Sequence, residues 1–207
     1  MKTALIFLHG DLADLSRLPA EARNAKLIIA ADGGAEHALQ AGITPHIVIG
    51  DLDSISDTTR NKLKDHTSWQ TYPREKDFTD AELAIQHALK QHATIIYIVG
   101  FLGRRLDHMF ANLLYLSTIP AEIILIEGHQ KLTFVRKGTV LTGKKGYEVS
   151  LIPLTSDCEG VSTEGLAYPL KNERLPYGST RGISNVMLGE KASVTVSGGI
   201  LICIQSI

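Results

Sequence analysis

The sequence predicts two folds in succession: a doubly wound α/β domain with a parallel sheet over residues 1–128, then an all-β sandwich over 129–207. Three observations predict this. Short runs of apolar residues alternate with helix-like segments in the first part. Several of those runs are apolar throughout instead of alternating, as expected for strands covered on both faces. Helical periodicity then fades beyond Gly128 and gives way to strand alternation punctuated by turn residues.

The predicted parallel strands are residues 4–8, 27–30, 47–49, 94–99 and 122–126, with a further strand around 70–72. Between them Ala81, Ala84, Ile85, Ala88 and Leu89 recur at helical spacing, and Thr79 followed by Glu82 forms a capping-box start. A second helix runs from about 106 to 116, with Met109, Phe110, Leu113 and Leu114 apolar. Strand–helix alternation of this kind implies crossover connections and a parallel sheet. In the second part, residues 132–134, 148–151, 193–196 and 200–204 read as strands. Turns are marked by Gly143-Lys144-Lys145-Gly146, Tyr177-Gly178-Ser179 and Ser197-Gly198-Gly199.

Composition narrows the function classes. An apolar share of 44% over 207 residues supports a real core. The net charge of −1 lacks the basic excess of a nucleic-acid binder. Cys158 and Cys203 have no metal spacing and read as buried residues of a reducing cytosol. The short N-terminal apolar run ends at Gly10-Asp11 and reads as a strand, not a secretory signal, and no run is long enough to span a membrane. A soluble cytoplasmic enzyme is expected.

The chemistry is suggested by where acids fall. Asp32-Gly33-Gly34 follows the second strand and Gly50-Asp51-Leu52-Asp53-Ser54 the third. Lys76-Asp77-Phe78-Thr79-Asp80 follows the strand near 70–72, and Gly103-Arg104-Arg105-Leu106-Asp107-His108 the one ending at Val99. In a parallel sheet these positions share the carboxyl edge, where ligands of open α/β sheets bind. Several carboxylates there repel one another unless a cation sits between them. Hard oxygen ligands suit Mg²⁺ together with substrate phosphates. Lys76, Arg104 and Arg105 would neutralise phosphate oxygens.

Structural readings compete at each motif. Asp77, Thr79 or Asp107 would serve as helix caps, an Asp-Gly pair as a turn, and His108 as a helix-start residue with no task. His9, His37 and His46 read as surface or loop residues. No Gly-Lys-Ser/Thr loop, no Gly-x-Gly-x-x-Gly after a strand and no Gly-x-Ser-x-Gly elbow is present.

Taken in order, these motifs resemble those of the thiamine pyrophosphokinase family. The likeness extends through Gly165-Leu166-Ala167-Tyr168-Pro169-Leu170 and Thr180-Arg181-Gly182-Ile183-Ser184-Asn185, and so covers nearly the whole chain. It implies Mg²⁺-dependent transfer of diphosphate from ATP to the hydroxyl of thiamine, giving thiamine diphosphate and AMP. It further implies a homodimer whose thiamine pocket lies between the α/β domain of one subunit and the sandwich of the other. By the same resemblance Asp51, Asp53 and Asp80 are metal-binding acids, with Asp77 counted beside them as catalytic. Asp32, Gly33, Lys76, Thr79, Arg104, Arg105, Asp107 and His108 lie around nucleotide and phosphates, and Tyr168, Ser184 and Asn185 contact thiamine. The bland alternatives are an edge aromatic for Tyr168 and turn residues for Ser184 and Asn185. One departure is Arg104, where family members often carry glycine. A related pterin diphosphokinase and a non-catalytic nucleotide or thiamine sensor are the competing functions.

Overall fold

The computed structural model describes residues 2–12 and 14–207, and the chain divides into two compact units, Met1–Gly128 and His129–Ile207. In the first unit the strands are β1 (Thr3–Phe7), β2 (Leu27–Ala31), β3 (Ile47–Gly50), β4 (Ser68–Thr71), β5 (Ile95–Val99) and β6 (Glu122–Glu127). The helices are α1 (Ala20–Arg23), α2 (Gly34–Gln40), α3 (Asp57–Leu63), α4 (Asp80–Lys90) and α5 (Leu106–Thr118).

All six strands pair in parallel, in the order β6-β5-β1-β2-β3-β4. The chain builds outward from β1 to β4, then returns to lay β5 on the other side of β1. The reversal opens a crevice beyond the carboxyl ends of β1 and β5, the place where such sheets bind ligands. Leu5, Ile6, Phe7, Ile29, Ile96 and Ile98 are fully buried, which explains why their strands read as continuous apolar runs. The connections between these parallel strands carry helices that pack against the sheet. α2 packs on β1 and β2, whereas α4 packs on β1–β3 and touches α5.

Local signals set the helix starts nearest the crevice. Thr79 caps α4, its hydroxyl accepting from the Glu82 amide at 3.1 Å. Ser56 caps α3 through Thr59 at 3.3 Å. Gly34 lets α2 start tight against β1, because a Cβ there would strike the Phe7 carbonyl. Each expected strand and helix forms, with ends moved by a residue or two; β1, for instance, stops at Phe7, not at residue 8.

The second unit holds eight strands: β7 (Gln130–Val135), β8 (Gly138–Thr142), β9 (Glu148–Pro153), β10 (Cys158–Glu164), β11 (Glu173–Leu175), β12 (Asn185–Val186), β13 (Lys191–Thr195) and β14 (Leu201–Ser206). β7, β14, β9 and β12 pair antiparallel, as do β8, β13, β10 and β11. The two layers bury Val135, Leu141, Val149, Leu151, Val161, Leu175, Met187, Val194 and Leu201 between them, with both cysteines. Among the described residues no helix is long and apolar enough to cross a membrane.

Candidate active site

The carboxyl edge of the parallel sheet opens into a cavity of about 980 Å³. Each strand from β1 to β5 sends its following loop into the lining. These supply Leu8 to Asp11, Asp32, Asp51, Asp53 and Ser54, Arg74, Lys76 to Asp80, Gly100 and Phe101, and Gly103 to Arg105, while α5 adds His108, Met109 and Asn112.

Carboxylate oxygens of Asp32, Asp51 and Asp53 lie within 4.8 Å of one another. The backbone forces this convergence. Asp32 has φ 47° and Leu52 has φ 65°, both left-handed. Aspartate tolerates that region, whereas a bulky leucine rarely enters it. Leu52 is held there because its side chain is buried and because Arg60 donates to its carbonyl at 3.1 Å. Arg60 is itself braced over the Trp69 ring at 5.6 Å. The turn is closed by the Asp53 amide donating to Asp51 Oδ1 at 3.2 Å.

Asp32 is only 9% exposed. The Ser54 hydroxyl donates to its Oδ2, while Oδ1 has no hydrogen-bond partner among the described residues. A buried carboxylate with one unpaired oxygen, gathered with two further carboxylates, is costly alone and fits a hard cation. Opposite stands Lys76, with a side chain only 11% exposed; its Nζ lies 3.1 Å from Asp80 Oδ1 and 4.0 Å from Asp51 Oδ2. Burial raises the Asp80 carboxyl above its ordinary value, Lys76 opposes the rise, and Asp32 and Asp51 add to it. Arg74 reaches Asp53 at 3.9 Å from an exposed position.

The remaining expected residues divide. Asp77, Thr79, Arg104, Arg105 and His108 line the cavity. Thr79 is also committed structurally, capping α4 and donating to Asn112 Oδ1 at 3.1 Å. Asp107 is not in the lining. It is exposed and pairs with Arg105 at 2.9 and 2.6 Å, which holds its carboxyl far below the ordinary value. Gly33 sits beneath the His9 ring, where a Cβ would collide. Tyr168, Ser184 and Asn185 belong to the second unit. There Tyr168 and Asn185 line a separate cavity of about 280 Å³ with Leu151, Pro169, Leu170, Arg181, Gly182 and Ile183. Asn185 is 7% exposed and clamps the Tyr168 backbone. Its Oδ1 accepts from the Tyr168 amide at 3.0 Å and its Nδ2 donates to the Tyr168 carbonyl at 2.7 Å. Tyr168 itself is 70% exposed. Ser184 has φ 57°, and its amide donates to Ser150 Oγ at 3.1 Å, so it forms the turn that leads into Asn185.

Several participants carry no motif. His37 is half-buried, its Nδ1 donating to the Leu8 carbonyl at 2.9 Å, and burial lowers its pKa. His9 packs edge-on against it, with ring centroids 5.9 Å apart. Asn112 lies four residues after His108 on α5, a spacing that puts both on one helix face. Glu127 ends β6, so the rule that acids follow strands, extended by one strand, reaches it.

Two family models match in tandem. The one described as thiamin pyrophosphokinase, catalytic domain, covers residues 18–126. The one described as thiamin pyrophosphokinase, vitamin B1 binding domain, covers residues 137–201. This chain belongs to the thiamine pyrophosphokinase family. It is 31% identical to thiamine pyrophosphokinase of Bacillus subtilis over 212 residues, spanning 100% of this chain and 99% of that one. The crystal structure of the Bacillus subtilis protein superposes with a TM-score of 0.87 at 29% identity, over 99% of both chains. That of thiamin pyrophosphokinase from Geobacillus thermodenitrificans gives 0.82 at 28% identity, over 99% of this chain and 97% of that one. Within the family frame the acid crevice falls in the catalytic half, and Tyr168 with Asn185 in the vitamin-binding half.

Proposed function

We propose that this chain transfers diphosphate from ATP to the hydroxyl of thiamine, giving thiamine diphosphate and AMP, in the cytoplasm and with Mg²⁺. The observation that carries the reading is the convergence of Asp32, Asp51 and Asp53, opposite the buried Lys76–Asp80 pair, at the sheet edge of a chain matched by both family halves.

Asp51, Asp53 and Asp80 would hold Mg²⁺, with Asp32 gathered beside Asp51 and Asp53 and close enough to Asp80 to act on its charge. When bound, the ion neutralises phosphate oxygens and stabilises the group in transit. Diphosphate transfer needs alignment and charge neutralisation more than covalent help from the protein. Lys76, Arg104 and Arg105 supply fixed positive charge to the polyphosphate from the cavity wall. The thiamine hydroxyl oxygen attacks the β-phosphorus. A bond forms there as the bond to the oxygen bridging the α- and β-phosphorus breaks, and AMP leaves with that electron pair. The hydroxyl proton passes to a carboxylate of the crevice; Asp77, exposed and in the lining, has no part in the acid cluster and can take that role. Tyr168 offers an exposed ring to the flat cationic vitamin, with Asn185 keeping that ring in place.

We also propose that the protein acts as a homodimer in which the acceptor is presented by the sandwich of the second copy. At thiamine well below KM, a mixture of Asp51→Asn and Tyr168→Ala chains should then become more active after subunit exchange than the two kept apart, which independent monomers cannot do. For the reaction itself, the chain is incubated with thiamine, ATP and Mg²⁺. Appearance of AMP with thiamine diphosphate supports the proposal, and absence of both overturns it. Competition between thiamine and a hydroxymethylpterin separates the pterin alternative, and tight binding without turnover would indicate a sensor.

A further inference from the structure

The loop after β5, residues 100–105, brings Arg104 and Arg105 to the crevice, yet it contains no regular structure. Its placement is specified from both sides. On one side the extension of β1 runs beside it: the Gly10 amide donates to the Gly100 carbonyl at 2.9 Å, and the Asp11 amide to the Leu102 carbonyl at 2.6 Å. This approach is tight enough that a Cβ on Gly10 would land on both carbonyl oxygens. On the other side a single side-chain atom does the work. Glu127 Oε1 accepts from the Phe101 amide at 2.6 Å and the Leu102 amide at 3.0 Å.

Register explains why a side chain is needed. The ladder between β5 and β6 ends at Val99 paired with Ile126. Beyond it the β5 chain turns away, with φ 68° at Gly100, and the next amides have no strand to meet. Glu127 is the last residue of β6 and supplies the missing acceptor, extending the ladder by its carboxylate while the backbone bends toward the crevice. Phe101 is buried, so its amide has little recourse to water. Glu127 is itself partly buried, and burial raises its pKa against the lowering effect of the two amides.

We infer that Glu127 is a positioning residue for nucleotide phosphate binding, fixing the 100–105 loop so that Arg104 and Arg105 face the polyphosphate. The inference rests on the proposed function for the identity of the ligand, but the loop geometry does not depend on it. Its prediction is selective. A loop that holds its competent geometry only a tenth of the time weakens apparent affinity by about tenfold.

The test compares Glu127→Ala and Glu127→Gln in the full chain by two readouts. The first is steady-state kinetics. Glu127→Ala should raise KM for ATP about tenfold with KM for thiamine within about twofold of the parent, and Glu127→Gln, whose amide oxygen accepts the same two bonds, should largely restore it. The second is hydrogen exchange at the Phe101 and Leu102 amides without any ligand. Protection should be lost in Glu127→Ala and kept in Glu127→Gln. An unchanged KM for ATP in Glu127→Ala, or equal rises for both substrates, overturns the inference. If Glu127→Ala does not fold, Glu127→Gln still decides, since exposed Phe101 and Leu102 amides in that folded variant overturn it and protected ones support it. If the parent shows no turnover, the functional reading fails, and the exchange readout together with binding of AMP to parent and variants judges the inference separately.

Discussion

Replacing Lys76 with methionine removes one charge from the crevice while nearly preserving side-chain volume. The ammonium lies 3.1 Å from Asp80 and 4.0 Å from Asp51, with its own side chain 11% exposed. At an effective dielectric near 20, those attractions amount to about 5 and about 4 kcal/mol before desolvation. Desolvation of the lysine cancels much of this. Removing one partner of a fully buried pair costs about 3–5 kcal/mol. Asp80 and Asp51 are 28% and 17% exposed on their side chains, and water screens them accordingly. The metal-free variant should therefore lose about 2 kcal/mol of stability. In the proposed site Mg²⁺ would neutralise the same acids, and in the variant it would no longer meet a competing ammonium. The variant should consequently gain more from Mg²⁺ than the parent does, and its deficit should shrink below about 1 kcal/mol at saturation. Urea unfolding in chelator and in Mg²⁺, followed by fluorescence of the single tryptophan, Trp69, measures both differences. An equal deficit with and without Mg²⁺ would refute the idea that lysine and metal answer the same carboxylates.

Four further outcomes are expected. Asp51→Asn and Asp80→Asn should each abolish formation of AMP and thiamine diphosphate while circular dichroism shows an intact fold; near-normal turnover in both would remove their metal role. Asp80 titrates higher in the folded chain than its ordinary value, so the stability it contributes is full at acid pH and is lost as pH rises through the folded value. Metal-free Asp80→Asn should then be more stable than the parent at neutral pH, with the advantage fading below about pH 4, and urea midpoints showing the reverse trend would contradict the assignment. Gly10→Ala drives a methyl into the Gly100 and Leu102 carbonyls and should cost about 1–3 kcal/mol in chemical unfolding while raising KM for ATP; an unchanged midpoint would mean that the β1 extension does not constrain the loop. Tyr168→Ala should raise KM for thiamine by roughly tenfold, the loss of about 1–2 kcal/mol of ring–cation contact, with KM for ATP unmoved, and parallel changes in both constants would point to a structural role alone.

The sheet was legible because its strands are buried on both faces. Residues 4–8 and 94–99 carry almost no polar side chain, and nothing but a covered parallel strand suits such short runs. α4 was legible at its first residue, because a threonine before an apolar period with glutamate three places on has one good use. What position along the chain cannot convey is where a side chain aims. Asp107 follows a strand as Asp32 does, yet it turns outward to Arg105 while Asp32 is buried against Ser54. Nor does local propensity announce a left-handed leucine. Leu52 holds its conformation only through burial and a bond from Arg60, eight residues away. Glu127 and Asn185 share this property. Each spends its side chain on the backbone amide of a residue 17 or more positions distant, at Tyr168 and at Phe101 and Leu102. No motif window contains both partners.

The arrangement of the crevice follows from one electrostatic difficulty. Asp32, Asp51, Asp53 and Asp80 are brought together by strands that end side by side, so the parallel sheet itself concentrates negative charge at its carboxyl edge. Each remedy in the structure is partial. Lys76 answers Asp80 and approaches Asp51. Ser54 satisfies one oxygen of Asp32 and leaves the other unpaired. The N-terminus of α4 stands at Asp80 and contributes a favourable but modest dipole. Full neutralisation within the chain would remove the tension and with it the reason to bind a cation, since an ion gains most where carboxylates are already gathered and under-compensated. A crevice left short of positive charge, next to a loop that Glu127 holds and that carries two arginines, would on the proposed reading take a metal and a polyphosphate at adjoining positions and favour them together over either alone. Binding of Mg²⁺ with nucleotide should accordingly be cooperative, and it should be less so in Lys76→Met, where the metal no longer has to displace a resident cation.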